Sequence, residues 1–469
     1  MFRVTGALLA GTAGIGAVTA TAGCQFRPGD RANDQAGEET DPRNSAPGDA
    51  LVVELAEGKL AVVEASTGRL LVQPAPAVVS GDGRRLVRIE RPGSDTASQR
   101  PAGATASQRP DGGTRLTSHQ LPDGATVSAG TLTGALAVRT TSADGELVAL
   151  ADDAGPGHTP YRPGPRQRTT IVVADGAGQR RRLELPGNLE PEAFDVSNQA
   201  LFVLDYLPPT APDRYRVRVV DLASGRVEPL LTRLKAVVPE GAEEEMRGEG
   251  RQAVHHRQRN RLFTLYTHQP DHVHTRDRIA ATADPGGARD DAPHVHAFVH
   301  TLDLTERWAF CVDLPAPFGE RPAAGHTIAL SPDGSRLYVA DTGSGALAVI
   351  DPEGLTVLNV VTFDALRDAT AGPGGAAPAA ASVDGAGMLL VGAGREVVGM
   401  AATAGGGRVP RWSTPAEVRG LAGPPDGSRL YVGQPDAVLR VDPASGTVRQ
   451  RIAVPGLVAL RQVVPASGN

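Results

Sequence analysis

The stretch SPDGSRLYVAD, residues 331–341, is nearly spelled again as PPDGSRLYVG at residues 424–433. In each copy an Asp-Gly pair, Asp333-Gly334 or Asp426-Gly427, stands between two apolar runs. Such a pair is a strong hairpin signal, because glycine takes φ > 0 without steric cost. Looser copies begin at Ser80 (SGDGRRLV), Ser142 (SADGELVAL), Asp195 (DVSNQALFVLD), His256 (HRQRNRLFTLY) and Ser382 (SVDGAGMLLVG), which makes seven.

A second kind of turn follows downstream. It is clear at Glu64 to Gly68, Asp221 to Gly225, Asp351 to Gly354 and Asp442 to Gly446. Weaker versions lie at Asp123-Gly124, Gly176 to Gly178, Asp303 to Glu306 and Gly405 to Gly407, so this turn occurs eight times. The unit is therefore strand, first turn, strand, connection, strand, second turn, strand, repeating at roughly 50 residues. Four short antiparallel strands at that period predict the blade of an all-β propeller with a WD40-like blade plan. Eight four-stranded blades is the literal count, and seven follows if the weakly patterned unit at 80–130 is not a blade.

The mismatch between seven and eight turns has a simple geometric source. The turn at Glu64 has no first-type turn before it, while the chain ends on GLVALRQVVPASGN, a strand that stops where such a turn would stand. Pairing of the C-terminal strand, 456–464, with strands near 51–55, 59–66 and 69–75 is expected to close the ring in one shared blade. Closure removes exposed sheet edges.

The best copies, 321–360 and 415–455, resemble the YVTN family of β-propellers, named for strands like RLYVAD here. The resemblance covers two units. It implies a propeller in an extracytoplasmic bacterial compartment, since the family includes surface-layer and periplasmic members, and it implies no particular chemistry.

Composition agrees with a turn-rich β protein: 56 glycines and 38 prolines in 469 residues. A net charge of -6 argues against a nucleic-acid partner, which calls for a basic field. Of 47 basic residues only Lys59 and Lys235 are lysines, a bias that with the abundant Ala and Gly points to a high-GC bacterium.

The N-terminus reads as an address. Arg3 precedes a small-residue apolar run from Gly6 to Val18 and then TAGC, residues 21–24. The run is too short to span a membrane and fits a secretory signal peptide, residues 1–23. TAGC resembles the lipobox of bacterial lipoproteins, which implies lipidation at Cys24 and a membrane anchor; the alternative is an ordinary cleaved signal and a freely secreted protein. The only other cysteine, Cys311 in RWAFCVDLP, reads as a small buried residue. Residues 24–49 are polar and free of large aliphatics, which predicts a disordered tether ahead of the propeller at 50–469.

Both tight turns lie at one face of the disc, so second-to-third-strand and blade-to-blade connections leave from the other. The long segments 92–112, 152–167, 206–214, 236–252, 268–293 and 316–326 are all expected on that second face, which marks it for binding. Within them, the repeated TASQRP of 96–110 reads as a disordered loop and PEGAEEEMRGEG, 239–250, as a solvated acidic run.

One connection is crowded with histidine. His272 and His274 are two apart, as are His294 and His296, with His300 beyond and His326 opening the next blade. In extended chain, residues i and i+2 share a side, so His294, His296 and His300 align with Phe298. The two H-x-H pairs meeting at the base of a hairpin would suit Zn²⁺ or Cu²⁺, with Asp271, Asp290 and Asp291 as further donors. The competing reading makes these residues ordinary blade histidines bonded to backbone.

The sequence lacks G-x-S-x-G, HExxH, a phosphate-binding Gly-rich loop and CxxCH. Asp341 in YVADTG reads as a turn-former more than a catalytic acid. The reading favoured is a non-catalytic, membrane-anchored, monomeric propeller that binds a protein, glycan or small molecule through its long-loop face. The alternative is a lactonase-like hydrolase or lyase using His326 and the 272–300 histidines, with or without a metal. A structural envelope component is a third.

Overall fold

In a computed structural model, the described residues are 48–90, 113–152, 161, 163–239, 241–247, 250–269, 272–274, 278–279, 295–366, 380–384, 387–401, 410–424 and 426–466. They form eight sheets, each built on four antiparallel strands, arranged as an eight-bladed propeller. Blades 2 to 8 span Ala77–Leu132, Leu136–Pro186, Asn188–Pro229, Gly250–Asp313, His326–Thr362, Ala380–Ser413 and Leu421–Ala453. The unit at 80–130 is a full blade, which settles the count at eight.

Blade 6 shows why the strands read as apolar runs rather than as alternating patterns. Its three inner strands, His326–Leu330, Leu337–Asp341 and Ala346–Asp351, are buried almost throughout, since each face packs on a neighbouring blade. The outer strand Thr356–Thr362 is mostly exposed, and there Asn and Thr are interspersed with Val. Two-sided burial selects continuous β-branched and aliphatic runs.

The turns behave as their residues require. The Asp333 carboxylate accepts from the Ser331 hydroxyl at 2.6 Å and from the Ser335 N–H at 3.0 Å, and Gly334 follows at φ +71°. Asp426 accepts from the Ser428 N–H at 2.9 Å, with Gly427 at φ +65°. A Cβ on Gly334 would also sit 2.3 Å from the His256 ring, so this position excludes side chains twice over.

Blade 1 is built from both ends of the propeller. Ala459–Val464 is its innermost strand and pairs antiparallel with Ala50–Glu54, followed by Leu60–Glu64 and Leu70–Ala75. Leu51, Val53, Leu460 and Val463 pack with Tyr431 and Ile452 of blade 8. The fold begins at Gly48 and Asp49 among the described residues. Asp49 is buried, accepting from Arg429 at 2.6 and 2.7 Å and from the Tyr431 hydroxyl at 2.8 Å.

The long second-to-third-strand connections start at Glu90, Asp152, Leu207 and Thr267, and the blade-to-blade links start at Thr232 and Asp313; these strand ends share one face. One departs from the expectation. The third-to-fourth-strand connection of blade 7 starts at Ala401 and ends at Arg411, at the turn-face ends of Glu396–Ala401 and Arg411–Ser413. The link from blade 4 to blade 5 also adds a short strand, Leu231–Thr232, parallel to the outer strand of blade 5 at Trp308 and Ala309.

Candidate metal centre

The loop face of blade 5 gathers four chemically capable side chains. Its second strand, Arg261–Thr267, ends in the connection carrying His272 and His274, and its outer strand, Trp308–Asp313, carries Cys311. The blade 4–5 link contributes Glu244. One ligand atom from each of Glu244, His272, His274 and Cys311 lies within 4.8 Å of every other.

The link folds inward because its acids are neutralised and its apolar residues are buried. Ala242 and Met246 are fully buried, and Met246 bridges in antiparallel fashion to Tyr215 of blade 4. Glu243 forms ion pairs with Arg216 at 2.8 Å and Arg218 at 2.9 Å. Glu245 reaches Arg214 at 2.9 Å. The reading of this acidic run as a solvated loop is thereby corrected: arginines on the exposed side of blade 4 supply the counter-charge that draws it down.

Within the group, the Cys311 thiol donates to Glu244 at 2.7 Å. His274 Nε2 meets the Asp313 carboxylate at 2.8 Å, and its Nδ1 lies 3.8 Å from Glu244. His272 stacks on Phe298 with ring centroids 3.9 Å apart, and both its nitrogens are buried without a hydrogen bond among the described residues. An imidazole held by stacking with two unsatisfied nitrogens is costly unless something else binds it.

Electrostatics sort the histidines. Burial pushes His272 down to about 4, so its ring is neutral. Burial does the same to His300, also to about 4. Burial lowers His274 too, but hydrogen bonds to Asp313 and Glu244 outweigh it and lift it to about 9. Burial raises the Glu244 carboxyl, yet the His274 hydrogen bond, the potentials of His300 and His272 and the Cys311 thiol reverse this and hold it well below the usual carboxylate range.

Of the histidines singled out in the sequence, His272 and His274 thus join the cluster. His300 stands next to it, facing Cys311 across the strand pair and edge-on to Tyr266. His296 lies outside the group, its backbone carbonyl accepting from the Gln269 N–H. His326 is fully engaged elsewhere: Nε2 accepts from the Gly319 N–H at 3.0 Å while Nδ1 faces the Pro322 carbonyl at 3.2 Å. His294, Asp271, Asp290, Asp291 and Cys24 fall outside the described residues. Asp341 closes its strand as a turn-former, accepting from the Gly343 N–H at 3.0 Å and the Ser344 hydroxyl at 2.5 Å. Glu244 and Cys311 were not among the sequence candidates.

The fold and its closure define an eight-bladed β-propeller. No family model matches the chain, and no curated protein matches it. Solved structures with a similar fold include apo AztD from Citrobacter koseri, at 14% identity and TM-score 0.48 over 90% of this chain and 100% of that one. The periplasmic gluconolactonase PpgL of Pseudomonas aeruginosa is similar at 17% identity and TM-score 0.39, covering 89% and 99%. The dihydro-heme d1 dehydrogenase NirN in complex with DHE is similar at 14% identity and TM-score 0.40, covering 89% and 76%. These likenesses concern the fold alone.

Proposed function

We propose that this chain is an extracytoplasmic, membrane-tethered propeller whose loop face binds one transition-metal ion, Zn²⁺ by preference, through Glu244, His272, His274 and Cys311. The observation that carries the reading is the convergence of four donors around a histidine with no hydrogen-bonding partner among the described residues. A thiolate, a carboxylate and two neutral imidazoles carry two negative charges, which cancel a divalent cation and make the loaded centre neutral, as burial requires. A tetrahedral zinc centre spaces its ligand atoms about 3.5 Å apart, so movements of roughly an ångström close the group on the ion. Asp313, bonded to His274, would orient that ring from outside the coordination shell.

The blade repeats are read as the YVTN kind, and the anchor as a lipid on Cys24. Cys24→Ala should release the protein from cells into the medium; retention on cells would refute the anchor. For the metal, zinc titrated against a chromophoric chelator should be taken up at one ion per chain. His272→Ala and Cys311→Ser should lose that uptake while keeping wild-type circular dichroism. Undiminished uptake by both variants would refute the site.

A further inference from the structure

A cavity of about 600 Å³ opens beside the metal cluster, between blade 4, the blade 4–5 link and the outer strand of blade 5. Its wall is hydrocarbon over most of its extent: Val217, Leu230, Leu231, Val238, Met246 and Phe310. Native interiors hold few voids larger than a water molecule, whereas small-molecule sites run to roughly 300–1,000 Å³. The size therefore belongs to a ligand site, not to a packing defect. The short parallel strand Leu231–Thr232, paired with Trp308 and Ala309, bounds the space on the blade 5 side, and the bridge of Met246 to Tyr215 returns the link to blade 4 on the other.

The acids of the wall and His274 are paired within the protein. Glu243 is paired with Arg216 and Arg218, Glu244 with His274 and the Cys311 thiol, and His274 with Asp313. At the mouth, Arg233 bonds the backbone carbonyls of Glu353 and Gly354 and packs over Phe310. Arg233 keeps its charge, since carbonyls do not neutralise it, but it is exposed at the rim; a charged ligand entering the hydrocarbon interior would lose hydration that a rim cation does not replace. Leu234, 90% exposed, adds apolar surface at the opening.

We propose that this cavity, which Glu244, His274 and Cys311 of the metal cluster help to line, also takes an uncharged, apolar small molecule, aromatic or branched aliphatic. The proposal goes beyond the metal reading and stands without it. The test uses the full chain after chelator treatment, so that failure of metal binding cannot masquerade as failure here. The probe is N-phenyl-1-naphthylamine, which is neutral and fluoresces in apolar surroundings. Saturable binding of one probe per chain is expected. Ala236→Trp, at an exposed position of the link that faces the cavity, should weaken it at least about tenfold by filling the space. Its anionic relative 8-anilinonaphthalene-1-sulfonate should bind less tightly. Absence of saturable binding, wild-type affinity in Ala236→Trp, or preference for the anionic dye would overturn the proposal. Probe binding that appears only after removal of residues 280–293 would also overturn it, by making that segment the occupant.

Discussion

Replacing Asp49 tests how the ring is locked. Its carboxylate takes four hydrogen bonds, two from Arg429 and one from the Tyr431 hydroxyl across the seam between the start of blade 1 and blade 8, and one from the Ala466 N–H. In Asp49→Ala the Tyr431 hydroxyl, on a residue 2% exposed, is left without its acceptor. A buried unsatisfied hydroxyl costs about 1–3 kcal/mol, and hydrogen bonds to a charged group contribute about 1.5–3 kcal/mol each. The Arg429 side chain is 30% exposed and can recover water, which discounts its share. The net loss expected is about 2–4 kcal/mol out of a total of roughly 5–15 kcal/mol. Urea denaturation should show a lower midpoint with an unchanged slope. The control is Arg461→Ala, which removes the exposed ion pair with Glu54 in the same blade and should cost no more than about 1 kcal/mol. Burial raises the Asp49 carboxyl, but Arg429 and Tyr431 outweigh it and depress it below its ordinary value. Its contribution is therefore complete above the unfolded value near 3.8 and is lost as pH falls through the lower folded value. The gap between wild type and Asp49→Ala should accordingly shrink in acid. Equal midpoints for Asp49→Ala and wild type at neutral pH would refute the lock.

Three further outcomes are expected. A chain ending at residue 455 loses the inner strand of blade 1, Ala459–Val464, and should not give a cooperative melt; a wild-type melt would refute ring closure. Gly334→Ala should destabilise more than Gly58→Ala in the same urea assay, because both sit at positive φ but only the former drives a Cβ into the His256 ring. Glu243→Gln leaves Arg216 and Arg218 without their shared carboxylate and should cost about 3 kcal/mol. It should also loosen the link, seen as faster amide exchange at Met246.

The repeat carried most of the architecture. Asp-Gly turns, the eight-fold count and a C-terminal strand without a following turn led to eight blades and to the pairing of residues 459–464 with 50–54, because blade turns are local and written in contiguous residues. The metal cluster was half legible. His272 and His274 are neighbours in sequence, but Glu244 lies in the preceding link and Cys311 beyond the next strand, brought together only by the fold of blade 5. One signal was available: the acids of EEEM stand between Ala242 and Met246, and an acidic stretch flanked by apolar residues can fold inward when arginines face it. Those arginines, Arg214, Arg216 and Arg218, alternate along one strand of blade 4, a pattern that presents one charged face. The longer connection of blade 7 escapes the sorting of loops by face because Gly405 to Gly407 reads as a tight third-to-fourth-strand turn.

The absorption spectrum of the Co²⁺-loaded chain tests the metal site most directly, since a thiolate in the shell gives an intense sulfur-to-cobalt charge-transfer band. With Cys311, His272, His274 and Glu244 as ligands, one Co²⁺ per chain should give that band together with the visible bands of tetrahedral cobalt. Cys311→Ser, which loses the metal, should abolish the charge-transfer band together with the visible tetrahedral bands. A spectrum without thiolate character, or one that Cys311→Ser leaves unchanged, would contradict it.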